Sequence, residues 1–391
     1  MSQGSPRRRR VIVVGSGTRF LSGISIYTIR LANALAERHD VGVITMRRLL
    51  PARLYPGHRR VGADLTQIQR DPTVSMFDGV DWHWLPSIVR AALFLLRRRP
   101  QAIIFQWWSG TVLHSYIALA LLARLLGARV VVEFHEIIET GEADVPFAAR
   151  YVRSMAPILM RLAHAFTVHS AFDRQLVIET WKPRRSQPVA VLPHGPHDHY
   201  QGDPGAVLAL REAPAEVCNL LFFGVIRPYK GLEHLVAAFE AIPESEAEHF
   251  WLTVVGETWE GWTLPTELIE KSPRRDRITL VNRYVQDDEL HGHLQGADAV
   301  VLPYLRSSLS GPLHVAMGYG LPIIMTDVGG NAEAALGYEG IVLVAPSQPA
   351  ELSAALRTIR SLLGKRYQHP HSWQNTAERY EELLERLDRT A

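Results

Sequence analysis

The sequence predicts an α/β protein made of two Rossmann-like, doubly wound domains that face each other across a cleft. Short runs of consecutive apolar residues recur along the chain, with helical stretches between them. Such uninterrupted runs are typical of parallel strands that are covered on both faces. A polar stretch rich in Gly and Pro, at 194–205, interrupts this rhythm once, after which it restarts. Because 391 residues are more than one hydrophobic core usually holds, we expect two domains.

The first half of the chain contains a series of short apolar segments that we predict to be strands. They lie at 11–14, 41–45, 102–105, 129–132, 165–168 and 189–192. Most of them are followed by Gly, Gln or His, as at Gln106 and His135. Ligands bind at the carboxyl edge of the strands in open α/β sheets. We therefore expect these polar residues to lie near a binding site.

The second half repeats the pattern. Its predicted strands lie at 220–223, 251–255, 278–281, 299–302, 322–326 and 341–344. The tail, 373–387, has leucines at helical spacing and predicts an amphipathic helix that closes the fold. The predicted domains are therefore 1–200 and 201–370, followed by a closing helix within 371–391.

Composition excludes several classes of protein. Lys and Arg total 42 against 40 acidic residues, and a net charge of +2 does not indicate a nucleic-acid-binding protein. The single cysteine, Cys218, excludes a disulfide framework and a cysteine-based metal site. It is consistent with a reducing compartment. We therefore expect a cytoplasmic protein.

Two basic segments raise the question of membranes. The arginines at 7–10 precede only four apolar residues, which are too few for a signal peptide or a membrane span. The apolar segment 88–96 ends in three arginines. We favour a helix that faces the core and has a solvated basic end over contact with a membrane surface. Peripheral membrane contact stays open.

A loop after the strand at 220–223 carries two cations. Gly224 ends the strand, Arg227 and Lys230 follow, and the residues after Gly231 have helical spacing. The free N–H groups of a helix start, together with Arg and Lys, suit phosphate oxygens. A solvated loop with incidental charge explains the pattern equally well.

A second helix start has the same character. Ser310 suits an N-cap, and Pro312 suits the first turn. Because Gly311 has no side chain, an anion could approach the backbone of Gly311, Leu313 and His314. The alternative is an ordinary, well-capped connection. Two such sites in one domain favour a diphosphate or a nucleotide-linked diphosphate as the ligand.

The glycine-rich loop 15–17 is a candidate dinucleotide site, but it lacks parts of the dinucleotide-binding fingerprint. The position of the third glycine is Phe20, and no acidic ribose ligand follows the strand at 41–45. Arg47 and Arg48 could instead meet the 2′-phosphate of NADP. NADP binding is therefore less favoured but stays open.

Polar and aromatic residues after the first-half strands are further site candidates. His135, at the end of a strand, suits an acid or base, a partner of sugar hydroxyls, or a hydrogen-bonded structural residue. Trp107 and Trp108 could stack on a sugar, although packing under a loop is slightly favoured. The histidines within 194–199 lack a metal-binding spacing, so we interpret them as a loop.

Taken together, these segments resemble one known family. The motifs are Gly23 with its helix and HDVGVIT, His135, VHS, LPHG, FFGVIRPYKGLEHLVAAF, ADAVVLPY and GLPIIMTDVGG. In this order they resemble the family 4 (group 1) retaining glycosyltransferases of the GT-B fold, over nearly the whole chain.

The resemblance implies transfer of a sugar from a nucleotide diphosphate sugar with retention of configuration and without a metal or other cofactor. The donor would bind the C-terminal domain and the acceptor the N-terminal domain. The implied catalytic residues are His135, Arg227 and Lys230. The implied donor-binding residues are Gly224, Arg227, Lys230, Gly256, Arg283, Tyr284, Val285, Ser307, Ser310, Gly311, Pro312 and Leu313. The implied acceptor-binding residues are Ser22, Gly23, Trp107, Trp108 and His135.

The sequence departs from the family at two positions. Ser307 and Val315 stand where the family has two glutamates, which contact the transferred sugar and the nucleotide ribose. Ser307, Ser308 and Ser310 could supply weaker hydrogen bonds. Three alternatives stay open: a GT-B epimerase of nucleotide sugars, an NADP-dependent oxidoreductase, and a catalytically silent glycosyltransferase-like partner. The base, the sugar, the acceptor (a saccharide, a lipid-linked or a small molecule) and the oligomeric state are undetermined.

Overall fold

The computed structural model describes residues 8–17, 23–48, 68–81, 85–137, 146–197, 209–259, 261–307 and 310–390. The chain divides into two compact units. The N-terminal unit comprises Met1–Gly195 with His371–Ala391, and the C-terminal unit comprises Pro196–Pro370. The predicted domain boundary at residue 200 lies outside the described residues. The tail from His371 belongs to the N-terminal unit.

The N-terminal unit is built on a seven-stranded parallel sheet. Its strands are β1 (Arg10–Ser16), β2 (Asp40–Arg48), β3 (Ser75–Asp81), β4 (Ala102–Trp107), β5 (Arg129–Phe134), β6 (Ala165–Val168) and β7 (Val189–Val191). They are ordered β3-β2-β1-β4-β5-β6-β7. All six predicted strands are present. The sequence analysis missed β3 because its Ser, Asp and Gly residues break the apolar run.

Helices connect these strands. They are α1 (Gly23–Ala36), α2 (Ser87–Arg98), α3 (Leu113–Leu125), α4 (Pro146–Leu162) and α5 (Ala171–Trp181). One face of the sheet packs against α2, α3 and α4, with Leu95, Tyr116 and Leu159 in the shared core. Ile12 and Ile103 fill that core from the strands.

The C-terminal unit repeats the architecture with six strands. They are β8 (Cys218–Phe223), β9 (Phe250–Val255), β10 (Ile278–Val281), β11 (Ala299–Leu302), β12 (Ile323–Thr326) and β13 (Ile341–Val344). All pairs are parallel, in the order β10-β9-β8-β11-β12-β13. In such an order the chain reverses direction across the sheet between β8 and β11, and ligands bind at that point.

The remaining helices cover this sheet or return to the first. They are α6 (Leu232–Glu240), α7 (Glu244–Ala247), α8 (Leu264–Glu270), α9 (Asp287–Gly296), α10 (Gly311–Gly318), α11 (Asn331–Ala334), α12 (Pro349–Thr358) and α13 (Trp373–Arg389). A capping box between Ser372 and Asn375 starts α13. Its apolar side, including Tyr380 and Leu384, packs with Tyr27 of α1 on the second face of the N-terminal sheet. The predicted doubly wound α/β architecture is confirmed for both units. Within the described residues, no helix has the length and apolar character needed to cross a membrane.

Candidate functional site

Two loops meet at the reversal point of the C-terminal sheet. The loop after β8 carries Lys230, and the loop after β11 carries Tyr304. The Lys230 Nζ donates a hydrogen bond to the Tyr304 hydroxyl at 2.7 Å and lies 3.9 Å from the centroid of its ring. Lys230 is only 8% exposed. Its ammonium group is therefore held at the usual ligand crevice of this fold.

Tyr304 also connects Lys230 to the start of α10. The Ser310 side chain shares a hydrogen bond with the Tyr304 hydroxyl. The Ser310 Oγ also accepts a hydrogen bond from the Leu313 N–H at 3.2 Å, and Pro312 lies in the first turn. The predicted N-cap is therefore confirmed. Hydrogen bonds thus connect Lys230 to Tyr304 and Tyr304 to Ser310, and they join the two predicted phosphate sites.

The ends of neighbouring strands pack backbone to backbone at this edge. Gly256 follows β9, and a Cβ atom on Gly256 would lie 1.9 Å from the carbonyl oxygen of Gly224, which follows β8. A Cβ on Gly224 would in turn lie 3.6 Å from the Pro312 ring. A side chain on Gly256 would force the ends of β8 and β9 apart, whereas the distance from Gly224 to Pro312 is an ordinary van der Waals contact. Gly256 thus allows the strand ends to approach closely, and Gly224, with a φ of 106°, has a backbone conformation that favours glycine.

Arg227 lies beside Lys230 and is supported by an aromatic ring. Its guanidinium carbon lies 4.8 Å from the centroid of the Trp259 ring, within cation–π range. The Trp259 Nε1 donates to Glu257 Oε2 at 2.9 Å, which fixes the ring. Burial, and next the charge of Arg227, lower the pKa of Lys230 to about 7. An anion bound here would favour the charged form of Lys230.

The other predicted donor residues lie along the same edge of the sheet. Arg283, Tyr284 and Val285 follow β10, and Arg283 Nη1 donates to Glu289 Oε2 at 2.8 Å within a paired contact. Ser307 is half-buried in the segment between β11 and α10. Val315 is buried in the core beneath α10. An apolar side chain in the core provides no hydrogen bond to a ribose.

In the N-terminal unit, a buried carboxyl group ends β5. Glu133 is fully buried, and its Oε1 accepts a hydrogen bond from the Tyr27 hydroxyl at 2.7 Å. Its Oε2 accepts one from the Gln106 side-chain amide. Tyr380 of α13 is a third hydrogen-bond partner. The carboxyl group therefore joins α1, β4 and α13.

This carboxyl group orients His135 through Gln106. Because the Gln106 Nε2 donates to Glu133, the Gln106 Oε1 faces His135 and hydrogen-bonds its Nε2. An amide oxygen only accepts, so the His135 Nε2 carries the proton. The Tyr27 ring lies edge-on to His135 with a centroid distance of 4.5 Å. His135 is thus held in one orientation and one tautomer.

Two further histidines lie around Tyr27. The centroid of the Tyr27 ring lies 5.3 Å from that of His169 and 4.7 Å from that of His194. The His169 Nε2 lies 3.8 Å from Glu133 Oε1. Burial lowers the pKa of His169 to about 4, so this imidazole is neutral at physiological pH. His169 therefore adds no positive charge beside Glu133.

Glu133 makes the stability of the fold depend on pH. Burial raises its pKa to about 7, against the opposing effect of its hydrogen bonds, whereas the unfolded chain loses this proton near 4.5. The free energy of unfolding should therefore fall, by about 3 kcal/mol from this group, as the pH rises from about 4.5 to about 7. Glu133→Gln removes the titration. Because His169, whose pKa is lowered, changes stability in the opposite direction over this range, the measured quantity is the difference between the two proteins. In denaturant unfolding, the free energy of unfolding of the parent relative to Glu133→Gln should fall as the pH rises.

A surface carboxyl group is the control for this prediction. Glu382 on α13 is exposed and pairs with Arg379. Glu382→Gln should follow the pH dependence of the parent. If Glu133→Gln also follows the parent, Glu133 does not contribute to that dependence.

Residues 218–361 match the family described as "Glycosyl transferases group 1", and residues 22–195 match "Glycosyl transferase 4-like domain". The two matches together span most of both units. The chain belongs to the group 1 glycosyltransferases.

Curated relatives agree with this family. Glycogen synthase of Mycobacterium tuberculosis is 32% identical over 162 residues, which are 40% of this chain and 36% of the synthase. The match thus spans little more than a third of that relative. The 2-deoxystreptamine glucosyltransferase of Streptomyces kanamyceticus is 24% identical over 87% of this chain and 89% of its own.

Solved structures show the same fold over the full length. Sucrose-phosphate synthase from Thermosynechococcus elongatus superposes with a TM-score of 0.64 at 18% identity, covering 97% of this chain and 95% of its own. HepE of Anabaena, solved with UDP and glucose, has a TM-score of 0.59 at 15% identity and covers 98% of each chain. The predicted GT-B class of this glycosyltransferase family member is therefore confirmed.

The predicted acceptor residues of this family member differ in burial and in whether the structure describes them. Trp107 is 1% exposed and packs between Phe134 and Trp181 in the core. Because its ring has no free surface, the prediction that Trp107 binds the acceptor is wrong. Trp108 is half-buried against the core, and its role stays a prediction. Gly23 begins α1, and Ser22 lies outside the described residues.

The structure weakens the NADP alternative, because Arg47 is paired with a carboxyl group. The Arg47 Nε donates to Asp81 Oδ1 at 3.0 Å, as part of an ion pair between β2 and β3. The guanidinium group that could have met a 2′-phosphate is therefore already paired. The side chain of Arg48 and residue Phe20 lie outside the described residues. Together with the family, this favours a glycosyltransferase over an oxidoreductase.

Three residues that support the site, Tyr304, Trp259 and Glu133, were not predicted from the sequence, whereas Gln106 was expected near a binding site. Tyr304 and Trp259 support Lys230 and Arg227, and Glu133 with Gln106 orients His135. A signal existed for Glu133, because a carboxyl group at the end of an apolar strand needs partners. Tyr304 directly follows the LP that ends a strand, which is a position similar to that of Gln106.

Proposed function

We propose that the protein transfers a sugar from a nucleoside diphosphate sugar to a saccharide, lipid-linked or small-molecule acceptor, with retention of anomeric configuration. The observation that carries this proposal is the series of hydrogen bonds from Lys230 through Tyr304 to Ser310. It places a buried cation beside the capped start of α10, where two groups suited to phosphate coincide. Arg227 adds a second charge, supported by Trp259.

The named activities of the relatives support the same class of reaction. One is a glycogen synthase, one is a glucosyltransferase, and one structural neighbour was solved with UDP and glucose. These three names refer to glucose or glycogen, whereas another relative, 31% identical over 27% of this chain, is a GDP-mannose:glycolipid mannosyltransferase of Xanthomonas campestris. We therefore propose UDP-glucose as the first donor to test, with other nucleotide sugars as alternatives.

The proposed chemistry is a displacement on one face of the sugar. The acceptor oxygen bonds to the anomeric carbon, while the bond from that carbon to the β-phosphate oxygen breaks. The acceptor proton passes to the departing phosphate. Negative charge grows on the diphosphate, and the charges of Arg227 and Lys230 stabilise it without a metal ion. The residue type and placement of both cations suit this role.

His135 would orient the transferred sugar or the acceptor. Its ring is fixed through Gln106 and Glu133, so a sugar hydroxyl would meet an imidazole in a defined tautomer. Such prior orientation lowers the entropic cost of reaching the transition state. We propose Glu133 and Gln106 as positioning residues and His135 as the residue that touches substrate.

The donor would be held without the two family glutamates. Val315 is buried and apolar, so we propose that the backbone at Gly311 and the Ser307 hydroxyl hold the donor in place of the glutamates. Ser310, whose buried hydroxyl caps α10 and bonds to Tyr304, would position that backbone. Neutral hydrogen bonds are weaker than those to a carboxylate. We therefore expect weak selection between nucleotides that differ in the ribose.

We also propose that the protein is cytoplasmic, which is consistent with the free and buried Cys218.

A binding screen followed by product analysis tests the function. Nucleotide sugars that bind only the folded protein should raise its melting temperature. The active donor is then incubated with saccharide, lipid-linked and small-molecule acceptors, and the anomeric configuration of the product is read by NMR. We expect transfer with retention, and unchanged transfer in EDTA.

Other outcomes would select the alternatives. Conversion of the donor to its epimer with no acceptor consumed would identify an epimerase. Donor binding with neither hydrolysis nor transfer would identify a silent partner. Inversion at the anomeric carbon would refute retention, and loss of activity in EDTA would refute the metal-free mechanism.

A further inference from the structure

Helix α2 has two apolar faces, of which only one is covered. Ile88, Ala91 and Leu95 are buried against the sheet. Val89, Leu93 and Leu96 lie on the other side of the helix and are exposed. Large apolar side chains that repeat at helical spacing on a solvent face usually mark an interaction surface. A helix that faces the core and has a solvated basic end was favoured from the sequence over contact with a membrane surface, and the structure adds this second apolar stripe.

The neighbouring helix extends the apolar surface. Leu121 and Leu125 lie one turn apart on α3, and Leu125 is 85% exposed. Helices α2 and α3 pack against each other and cover the same face of the sheet. Their exposed stripes therefore both point away from the sheet. We call the residues Val89, Leu93, Leu96, Leu121 and Leu125 the leucine patch.

The three helices on this face of the sheet are basic. The sequences of α2, α3 and α4 contain 7 arginines and no acidic residue, and one of the arginines, Arg98, pairs with Asp40 of β2. Arg90 and Arg97 flank the exposed side chains of α2. On the opposite face of the sheet, α13 carries four glutamates and an aspartate together with three arginines. The N-terminal unit is thus basic on the side of the leucine patch and acid-rich on the other side.

We propose that the leucine patch docks on the surface of a membrane that contains anionic lipids. Leucine side chains would enter the boundary between headgroups and acyl chains, while the arginines meet lipid phosphates. A second copy of the chain fits less well, because a two-fold contact would bring two sets of arginines together. Docking is independent of the transfer reaction and leaves donor and acceptor unspecified.

The proposal is tested with vesicles and the full chain, without donor or acceptor. Co-sedimentation is measured with phosphatidylcholine vesicles and with vesicles that also contain phosphatidylglycerol. We expect binding to the mixed vesicles that weakens as salt is raised. Leu93→Ser with Leu125→Ser should lower this binding by at least about tenfold, because less apolar surface enters the membrane. Arg90→Gln with Arg97→Gln should lower it and reduce its salt dependence.

Matched controls lie elsewhere on the surface. Leu336 in the C-terminal unit is 77% exposed, and Leu336→Ser should leave vesicle binding unchanged. Arg379→Gln, on α13, should also leave it unchanged. Unaltered melting temperatures would show that all variants fold.

Several results would overturn the proposal. They are absence of binding to the mixed vesicles, equal binding to both vesicle types, and binding that survives Leu93→Ser with Leu125→Ser. A dimer in sedimentation equilibrium that those substitutions dissociate would assign the patch to a second copy instead. Since no substrate is present, none of these results bears on whether the protein transfers sugar.

Discussion

Replacing Arg227 or Lys230 by alanine is expected to lower the rate of sugar transfer by about 10²- to 10³-fold. Each substitution removes a positive charge from the place where the leaving diphosphate gains negative charge, and loss of one such group costs about 3–4 kcal/mol in the transition state. The rate is measured as kcat/KM with the donor found in the binding screen. Transfer at the parent rate in both variants would refute the assigned roles.

Stability has to be separated from catalysis in this experiment. Lys230→Met keeps most of the side-chain volume and removes only the ammonium group, whose burial is itself costly. We therefore expect Lys230→Met to fold at least as stably as the parent and still to transfer slowly. An active Lys230→Met protein would show that the alanine variant fails through packing.

A distant arginine provides the matched control. Arg357 lies in the same unit and pairs with Glu246 on the surface, with its Nε 2.7 Å from the Glu246 Oε2. Exposed pairs of this kind contribute little to stability. Arg357→Ala should leave both kcat/KM and the melting temperature close to those of the parent. A large loss of activity in this variant would point to a general effect of charge.

Gly231→Ala is expected to destabilise the C-terminal unit by at least about 3 kcal/mol, an unusually large effect for adding one methyl group. Gly231 has a φ of 64°, in the left-handed region. A Cβ atom would lie 2.1 Å from the carbonyl oxygen of Pro303, so the backbone would have to move. Because Lys230 is the preceding residue, donor affinity should fall as well.

Gly261→Ala isolates the steric part of this effect. Gly261 has nearly the same φ, 67°, and a Cβ atom there would meet no atom within 4 Å. It should therefore show only the cost of a left-handed alanine, about 1–2 kcal/mol. Both variants are compared by denaturant unfolding. Equal destabilisation would mean that the Pro303 contact does not contribute.

Sequence patterns that involve only neighbouring residues predicted most of the fold. The strands other than β3 are runs of apolar residues, and burial on both sides of a parallel sheet requires such runs. The start of α10 was predicted because capping involves residues only three apart, Ser310 and Leu313. β3 was missed because Asp78 and Gly79 interrupt its apolar character.

The site was predicted less completely than the fold. The positions of Arg227 and Lys230 followed from the loop that carries them. Tyr304, 74 residues further along the chain, could not be linked to Lys230 without knowing that β8 and β11 are neighbours. The resemblance placed Trp107 among the acceptor residues, although packing was slightly favoured and the ring lies in the core. The position of a residue after a strand does not determine which way its side chain points.

The sequence by itself determined the two doubly wound domains, the resemblance to the group 1 glycosyltransferases and the loops that carry the cations, since each depends on neighbours along the chain. Only the tertiary structure decided that Lys230 meets Tyr304, that Glu133 is shared by Tyr27 and Tyr380, and that α2 keeps a second apolar stripe in solvent. The physical reason is that hydrogen bonding and burial are satisfied by whichever groups the strand order brings together. The chain pattern does not specify those groups in advance.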